Sequence, residues 1–236
     1  RCVRRAPARR RRQGMSRPGA RRGLAATAGP HASYPDAPSI LTGRSRWVAL
    51  SVITVVSFLL LLEDTAVSVA LPAIRRDLGV GLTGLEWVVN AYTLALAVLV
   101  LPAGKLADAY GRRRMFVAGL FVFSVASLLA GAAGSGSMLI AARALQGAGA
   151  AFTASAALSI ISASFPEQER GAALGLWAGA SAVGLAVGPV VGAMLTQTLG
   201  WRWVFLINVP LGVIAAAAAR RFIPESSAGA RERRLP

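Results

Sequence analysis

Three charged residues stand inside apolar runs of this 236-residue chain: Glu63 and Asp64, adjacent in one run, and Arg143 in another. An ionised side chain at membrane depth costs about 2.5–3.5 kcal/mol on insertion scales, so each needs a partner or a task. A carboxylate and a guanidinium facing one cavity offset each other's desolvation, and burial and the cation pull the carboxylate's proton affinity in opposite directions. A carboxylate poised in that way can take up a proton on one side of a membrane and release it on the other. That chemistry assigns Asp64 as proton carrier and Arg143 as its partner. Glu63, about 100° around the same helix, is a further proton-coupling candidate expected to face a different neighbour. The alternatives are a static ion pair that only helps helices assemble, or side chains that snorkel outward.

These residues can meet only if the runs that carry them cross a bilayer. The chain is 55% hydrophobic, with a mean hydropathy of +0.55, too apolar for an ordinary soluble domain. From Trp47 onward the apolar residues form blocks of about twenty, the length that crosses about 30 Å of hydrocarbon as helix. The chain is expected to be an all-α membrane protein, a six-transmembrane-helix bundle. Its spans are predicted near Trp47–Leu71, Trp87–Leu106, Met115–Ala133, Met138–Phe165, Ala172–Leu195 and Val204–Ala219. The expected domains are a disordered Arg-rich tail over 1–46, the bundle over 47–223 and a polar linker over 224–236. On that layout Asp64 lies about 25 Å along the first span, and Arg143 about 8 Å below the far surface on the fourth. The opposite charges fall at comparable depth.

A net charge of +16 points to nucleic acid until the positions are read. Twelve of the 26 basic residues precede position 47, and most others flank apolar blocks. On alternate sides of the six spans the Lys and Arg divide 22 to 3, which places both termini in the cytoplasm of a multi-pass cell-membrane protein, a bacterial inner membrane being expected. Nucleic-acid binding is set aside. Cys2 is the single cysteine and His31 the single histidine, both in the tail, so the bundle holds no disulfide and no His-based metal site. No Gly-x-x-x-x-Gly-Lys-Ser/Thr, His-Glu-x-x-His or Gly-x-Ser-x-Gly pattern occurs, so no enzyme, cofactor or ATP-driven pump is expected. An ion gradient is the remaining source of work.

The stretch Gly104-Lys-Leu-Ala-Asp108-Ala-Tyr-Gly111-Arg112-Arg113-Arg114 joins the second and third spans. A link that short forces an antiparallel hairpin, with a glycine at each end of the turn. The fifth span carries two glycine ladders at four-residue spacing, Gly171, Gly175, Gly179 and then Gly184, Gly188, Gly192, the latter with Pro189. Glycines spaced by four share a helix face and let another backbone approach closely. Pro102, Pro189 and Pro210 are expected to kink their spans.

Five motifs, in order, resemble the major facilitator superfamily, in its drug:proton antiporter branch of fourteen helices. They are Leu62-Glu-Asp64-Thr-Ala-Val-Ser-Val-Ala-Leu-Pro72, the hairpin loop at 104–114, Arg143-Ala-Leu-Gln146-Gly147-Ala-Gly149-Ala-Ala, Gly184-Leu-Ala-Val-Gly188-Pro189-Val-Val-Gly192, and Trp201-Arg-Trp203-Val-Phe205-Leu-Ile-Asn208-Val-Pro210-Leu-Gly212. The resemblance covers about 47–224. It implies a cytoplasmic gate formed by Gly104, Asp108, Gly111, Arg112 and Arg113 against the other half of a transporter. It also implies proton coupling through Asp64 and Arg143, and an exporter's helix-five seam at Gly184, Gly188, Pro189 and Gly192. Ala193 and Ala109 depart from the usual glycine and arginine, and Glu63 stands where an apolar residue is expected.

The family works as two six-helix bundles rocking around a midplane cavity. This chain is therefore expected to be the amino-terminal half of such a fold, a fragment of a longer protein, with the missing half or a dimer mate as partner. Its expected work is proton-coupled efflux of small molecules, multidrug or metabolite, by alternating access, its other partners being the substrate, protons and the lipid bilayer. Alternatives are a facilitator importing a small nutrient and a non-transporting membrane scaffold.

Overall fold

The computed structural model describes residues 43–226. Seven α-helices follow in order: α1 Arg44–Leu78, α2 Leu82–Tyr110, α3 Arg112–Gly131, α4 Gly136–Ser164, α5 Glu167–Thr198, α6 Arg202–Leu206 and α7 Asn208–Phe222. Helices α6 and α7 together make one span, so six helical segments are long and apolar enough to cross a membrane. No strand occurs among the described residues. The chain is an all-α, multi-pass membrane protein. Most of the tail expected over 1–46, and residues 227–236 of the expected linker, lie outside the described residues.

Several helices outrun their predicted ends, for a common reason. Hydropathy marks only the apolar part of a helix, and the added turns carry polar residues: Arg75, Arg76 and Asp77 on α1 and Asp108 on α2. Helix α1 runs through Pro72 to Leu78, where Arg75 and Arg76 occupy the last turn and Gly79 caps it in the left-handed conformation at φ 62°. Cations there complement the helix dipole. Helix α2 likewise contains Pro102 and extends through Gly104 to Tyr110. The hairpin link is therefore Gly111 alone, at φ 109°, rather than a turn with glycines at both ends. Side chains rarely adopt that backbone conformation, so the reversal depends on glycine. Pro210 is the third residue of α7. With no N–H it cannot donate back to Leu206 across the α6–α7 break at Ile207.

Links this short make successive spans antiparallel. Helix α4 packs extensively on α2 and on α3, and α1 on α5, with α7 against α3 and α1. Small residues allow this closeness. A Cβ at Gly149 would lie 2.6 Å from the Phe123 nitrogen, and one at Gly119 2.7 Å from the Gly149 oxygen. Gly147, two residues earlier, faces Tyr92 of α2 instead.

The bundle holds two apolar cores. One gathers Leu50, Ile53, Val56 and Leu60 of α1 with Phe116, Leu120, Phe123, Ile160 and Ile161. The other gathers Val67, Ala70 and Ile74 of α1 with Leu85, Leu139, Val204 and Phe205. Along α1 the gap between them is 61–65. Ion pairs pin both ends: Arg46 to Glu169 at 2.9 Å, beside an edge-to-face Trp47–Phe165 pair, and Arg202 to Asp77, which also accepts from Trp201 Nε1 at 3.0 Å.

Candidate functional site

Between the two cores, side chains from four helices form one polar cluster. Arg143 of α4 is 0% exposed and Glu63 of α1 is 1% exposed. Arg143 Nη1 donates to Glu63 Oε1 at 2.9 Å and to Gln146 Oε1 at 3.1 Å. Nη2 donates to Asp64 Oδ1 at 3.3 Å, and Nε to the Val88 carbonyl at 3.2 Å. The guanidinium carbon also stands 4.3 Å from the centroid of the buried Tyr92 ring, within cation–π range.

Gln146 organises the other side of Glu63. Its Nε2 donates to Glu63 Oε1 at 3.2 Å and to Ser127 Oγ at 2.8 Å, and Ser127 in turn donates to the Phe123 carbonyl at 2.8 Å. Glu63 Oε1 thus receives two donors. Glu63 Oε2 is buried with no hydrogen-bond partner among the described residues. Asp64 lies at the open edge of the cluster, its side chain 30% exposed.

The structure brings Asp64 and Arg143 together. It also corrects the expected separation of the two acids: Glu63 does not turn to another neighbour but shares Arg143 with Asp64. A guanidinium fork is wide enough to present one nitrogen to each of two adjacent carboxylates, so a 100° offset along the helix is bridged from the partner's side. Gln146, Ser127 and Tyr92 carried no assignment in the sequence. For Gln146 the signal was available, since a polar residue three positions after Arg143 lies on the same helix face.

The loop candidates form a second polar group at one end of the bundle. Arg112 pairs with Asp108 at 3.0 Å, one helical turn away, and donates to the Ser159 carbonyl of α4 at 3.2 Å. Gly104 lies inside α2, facing Ser155 of α4. Three arginines in the first turn of α3 oppose its dipole. The segment after α7 compensates. Glu225 Oε1 accepts from the Arg113 backbone N–H at 3.2 Å, its Oε2 lies 3.6 Å from Arg113 Nε and from Arg114 Nε, and Ser226 O accepts from Arg112 N at 2.9 Å. Gly111 faces the same Glu225 carboxylate.

Of the fifth-helix glycines, the second ladder packs on α1 beside the ion cluster. A Cβ at Gly184 would meet Phe58, one at Gly188 would meet Thr65 and Leu62, and one at Gly192 would come 2.7 Å from Ala66 Cα. Pro189 lies within the same helix, α5. Gly171, Gly175 and Gly179 have nothing within 4 Å. Thirteen residues separate the ladders, about 220° of rotation, so they cannot share a face.

Known proteins align with this chain. The chain is 46% identical over 176 residues to the puromycin resistance protein of Streptomyces alboniger, covering 74% of this chain and 35% of that one. It is 45% identical over 177 residues to the cephamycin export protein of Amycolatopsis lactamdurans, covering 75% and 36%. The chain thus spans about a third of the length of these curated relatives. Its fold resembles the crystal structure of a bacterial homologue of the human lysosomal transporter Spinster, inward-facing and unoccupied, with a TM-score of 0.65 at 21% identity, over 80% of this chain and 45% of that one. The sequence model of the Major Facilitator Superfamily matches residues 53–234, and the chain belongs to that family.

Proposed function

We propose that this chain is the amino-terminal bundle of a proton-coupled exporter of small molecules, working by alternating access with a second six-helix bundle. The observation that carries this reading is the ratio of two carboxylates to one guanidinium, closed between two apolar cores. With both acids ionised the cluster bears one negative charge. With one proton bound it is neutral, and a neutral cluster avoids most of the desolvation cost of a buried charge. Such a site gains its proton on one side and gives it up when rearrangement admits water.

Glu63 Oε2 is the atom with room for that proton, because Oε1 already receives two donors. Asp64, on the exposed edge of the same guanidinium, is the acid that water reaches first. The carrier role expected of Asp64 is thereby shared, with Glu63 as the buried binding group. Export is favoured over uptake by the glycine–proline seam on α5 and by the relatives' names, which speak of resistance and export. The 22-to-3 division of basic residues supports cytoplasmic termini in a bacterial inner membrane, with Gly104, Asp108, Gly111, Arg112 and Arg113 forming the gate at that face.

The test uses the full-length gene product in everted membrane vesicles under an imposed pH gradient. Glu63→Gln is expected to abolish gradient-driven export, and Asp64→Asn to reduce it, with protein in the membrane at normal levels. Undiminished export by both variants refutes the coupling assignment, as does export indifferent to the gradient in the parent.

A further inference from the structure

We propose that a groove between α3 and α7 binds the headgroup of an anionic phospholipid. The groove encloses about 650 Å³ and is lined by Arg113, Arg114, Val117, Ala118 and Phe121 of α3 with Arg220 of α7. Its two ends differ in kind. Arg113, Val117 and Phe121 succeed each other at four-residue spacing, as do Arg114 and Ala118, so one stripe of α3 passes from cations to hydrocarbon. From Arg113 to Phe121 that stripe is about 12 Å long.

The groove lies where the hydrocarbon layer must end. It opens beside the single-residue link at Gly111 and the last turn of α7, which carries Arg220 and Arg221. Phe121 is 67% exposed and the Arg114 side chain 75% exposed, so both face the surroundings of the bundle rather than its core. Charge selects the occupant. Glu225 reaches Arg113 and Arg114, each at 3.6 Å, while Arg220 has no ion pair among the described residues. Three arginines against one carboxylate leave a surplus of two positive charges. Guanidinium forks fit phosphate oxygens in pairs. A zwitterionic headgroup would carry its own cation into that surplus, whereas an anionic one relieves it. Free phosphate would use the arginines alone and gain nothing from Val117, Ala118 and Phe121. A phospholipid uses both ends, its phosphate on the arginines and the start of an acyl chain along α3.

This inference requires only that the helices span a membrane and is independent of the transport reading. The experiment is native mass spectrometry of the delipidated chain in detergent, titrated with phosphatidylglycerol, with phosphatidylcholine of the same acyl chains, or with inorganic phosphate. The expected result is an adduct with phosphatidylglycerol at concentrations about tenfold below those needed for phosphatidylcholine. Arg114→Gln combined with Arg220→Gln removes the preference. Arg75→Gln with Arg76→Gln, at the opposite end of the bundle, leaves it intact. Phe121→Asn weakens both lipids while keeping the preference. Equal binding of the two lipids by the parent chain overturns the proposal, as does a preference that survives loss of Arg114 and Arg220 or falls equally with Arg75 and Arg76. Displacement of the lipid by equimolar inorganic phosphate, or a second copy of the chain bound in place of lipid, overturns it as well. All substituted positions are exposed or half-exposed, and an unchanged helical circular dichroism spectrum identifies the folded variants to be compared.

Discussion

Glu63 Oε1 and Arg143 Nη1 lie 2.9 Å apart, and both side chains are all but sealed from the surface. Such a pair is held together less by its attraction than by the penalty for separating it. Truncating Arg143 leaves the Glu63 charge buried with no cation to balance it. A fully buried pair broken in that way loses about 3–5 kcal/mol. Arg143→Ala is therefore expected to lower the amount of folded protein in the membrane and its melting temperature. Adding Glu63→Gln to Arg143→Ala is expected to restore much of the loss, because the sealed charge is gone and the one that remains, Asp64, has its side chain 30% exposed. Thermal unfolding in detergent across the double-mutant cycle measures this, and additive losses would contradict it.

Gln146 donates to both Glu63 Oε1 and Ser127 Oγ while accepting from Arg143. Gln146→Leu strips all three bonds from a closed interior, and hydrogen bonds to charged groups are worth about 1.5–3 kcal/mol each when a partner is stranded. The expected outcome is a melting temperature well below that of Ser127→Ala, which removes only the outer link of the chain. Equal melting temperatures for the two variants would show that the amide does not hold the cluster.

The two glycine ladders of α5 should respond oppositely to the same substitution. Gly192→Ala places a methyl group 2.7 Å from Ala66 Cα, so α1 and α5 must separate, at a cost of about 1–3 kcal/mol. Gly175→Ala meets nothing within 4 Å and removes a flexible residue from a helix interior, which stabilises by about 0.5–1 kcal/mol. Melting temperatures of the two variants in the same detergent decide it.

Glu225 caps a helix that begins 113 positions earlier in the chain, at Arg112. Glu225→Ala leaves Arg113 and Arg114 at the positive end of α3 without a carboxylate partner, Asp108 pairing with Arg112 alone. Loss of a capping acceptor costs about 0.5–2 kcal/mol. The expected sign is faster cleavage by a protease after Arg220 or Arg221, as the segment 223–226 comes away from the loop. Glu225→Gln, which keeps an acceptor oxygen, should fall between the parent and Glu225→Ala. Identical cleavage rates in all three would contradict the docking.

The spans were legible because membrane insertion is decided along the chain: twenty apolar residues satisfy hydrocarbon wherever their neighbours in space lie. The motifs at 62–72, 104–114, 143–151, 184–192 and 201–212 pointed to the family for the same reason, being contiguous. Helix ends were less legible. The apolar blocks ended at Leu71 and Leu106, whereas the helices run on to Leu78 and Tyr110 through polar residues that hydropathy does not count. Helix rotation was not legible at all. The spacing 171–179 and 184–192 described two identical ladders, yet one is packed against α1 and the other is bare.

What the amino-acid order decided, then, is which segments cross, how basic residues distribute between the two sides, and that two acids and one arginine must be accommodated among them. What only tertiary packing decided is that Glu63 as well as Asp64 closes on Arg143, that Gln146 and Ser127 complete the cluster, and that Glu225 returns to cap α3. Those contacts join residues 19 to 112 positions apart. Their existence depends on how each helix is rotated about its axis, and that rotation is set by small residues such as Gly147, Gly149 and Gly188 meeting a particular neighbour, a property that no single segment possesses.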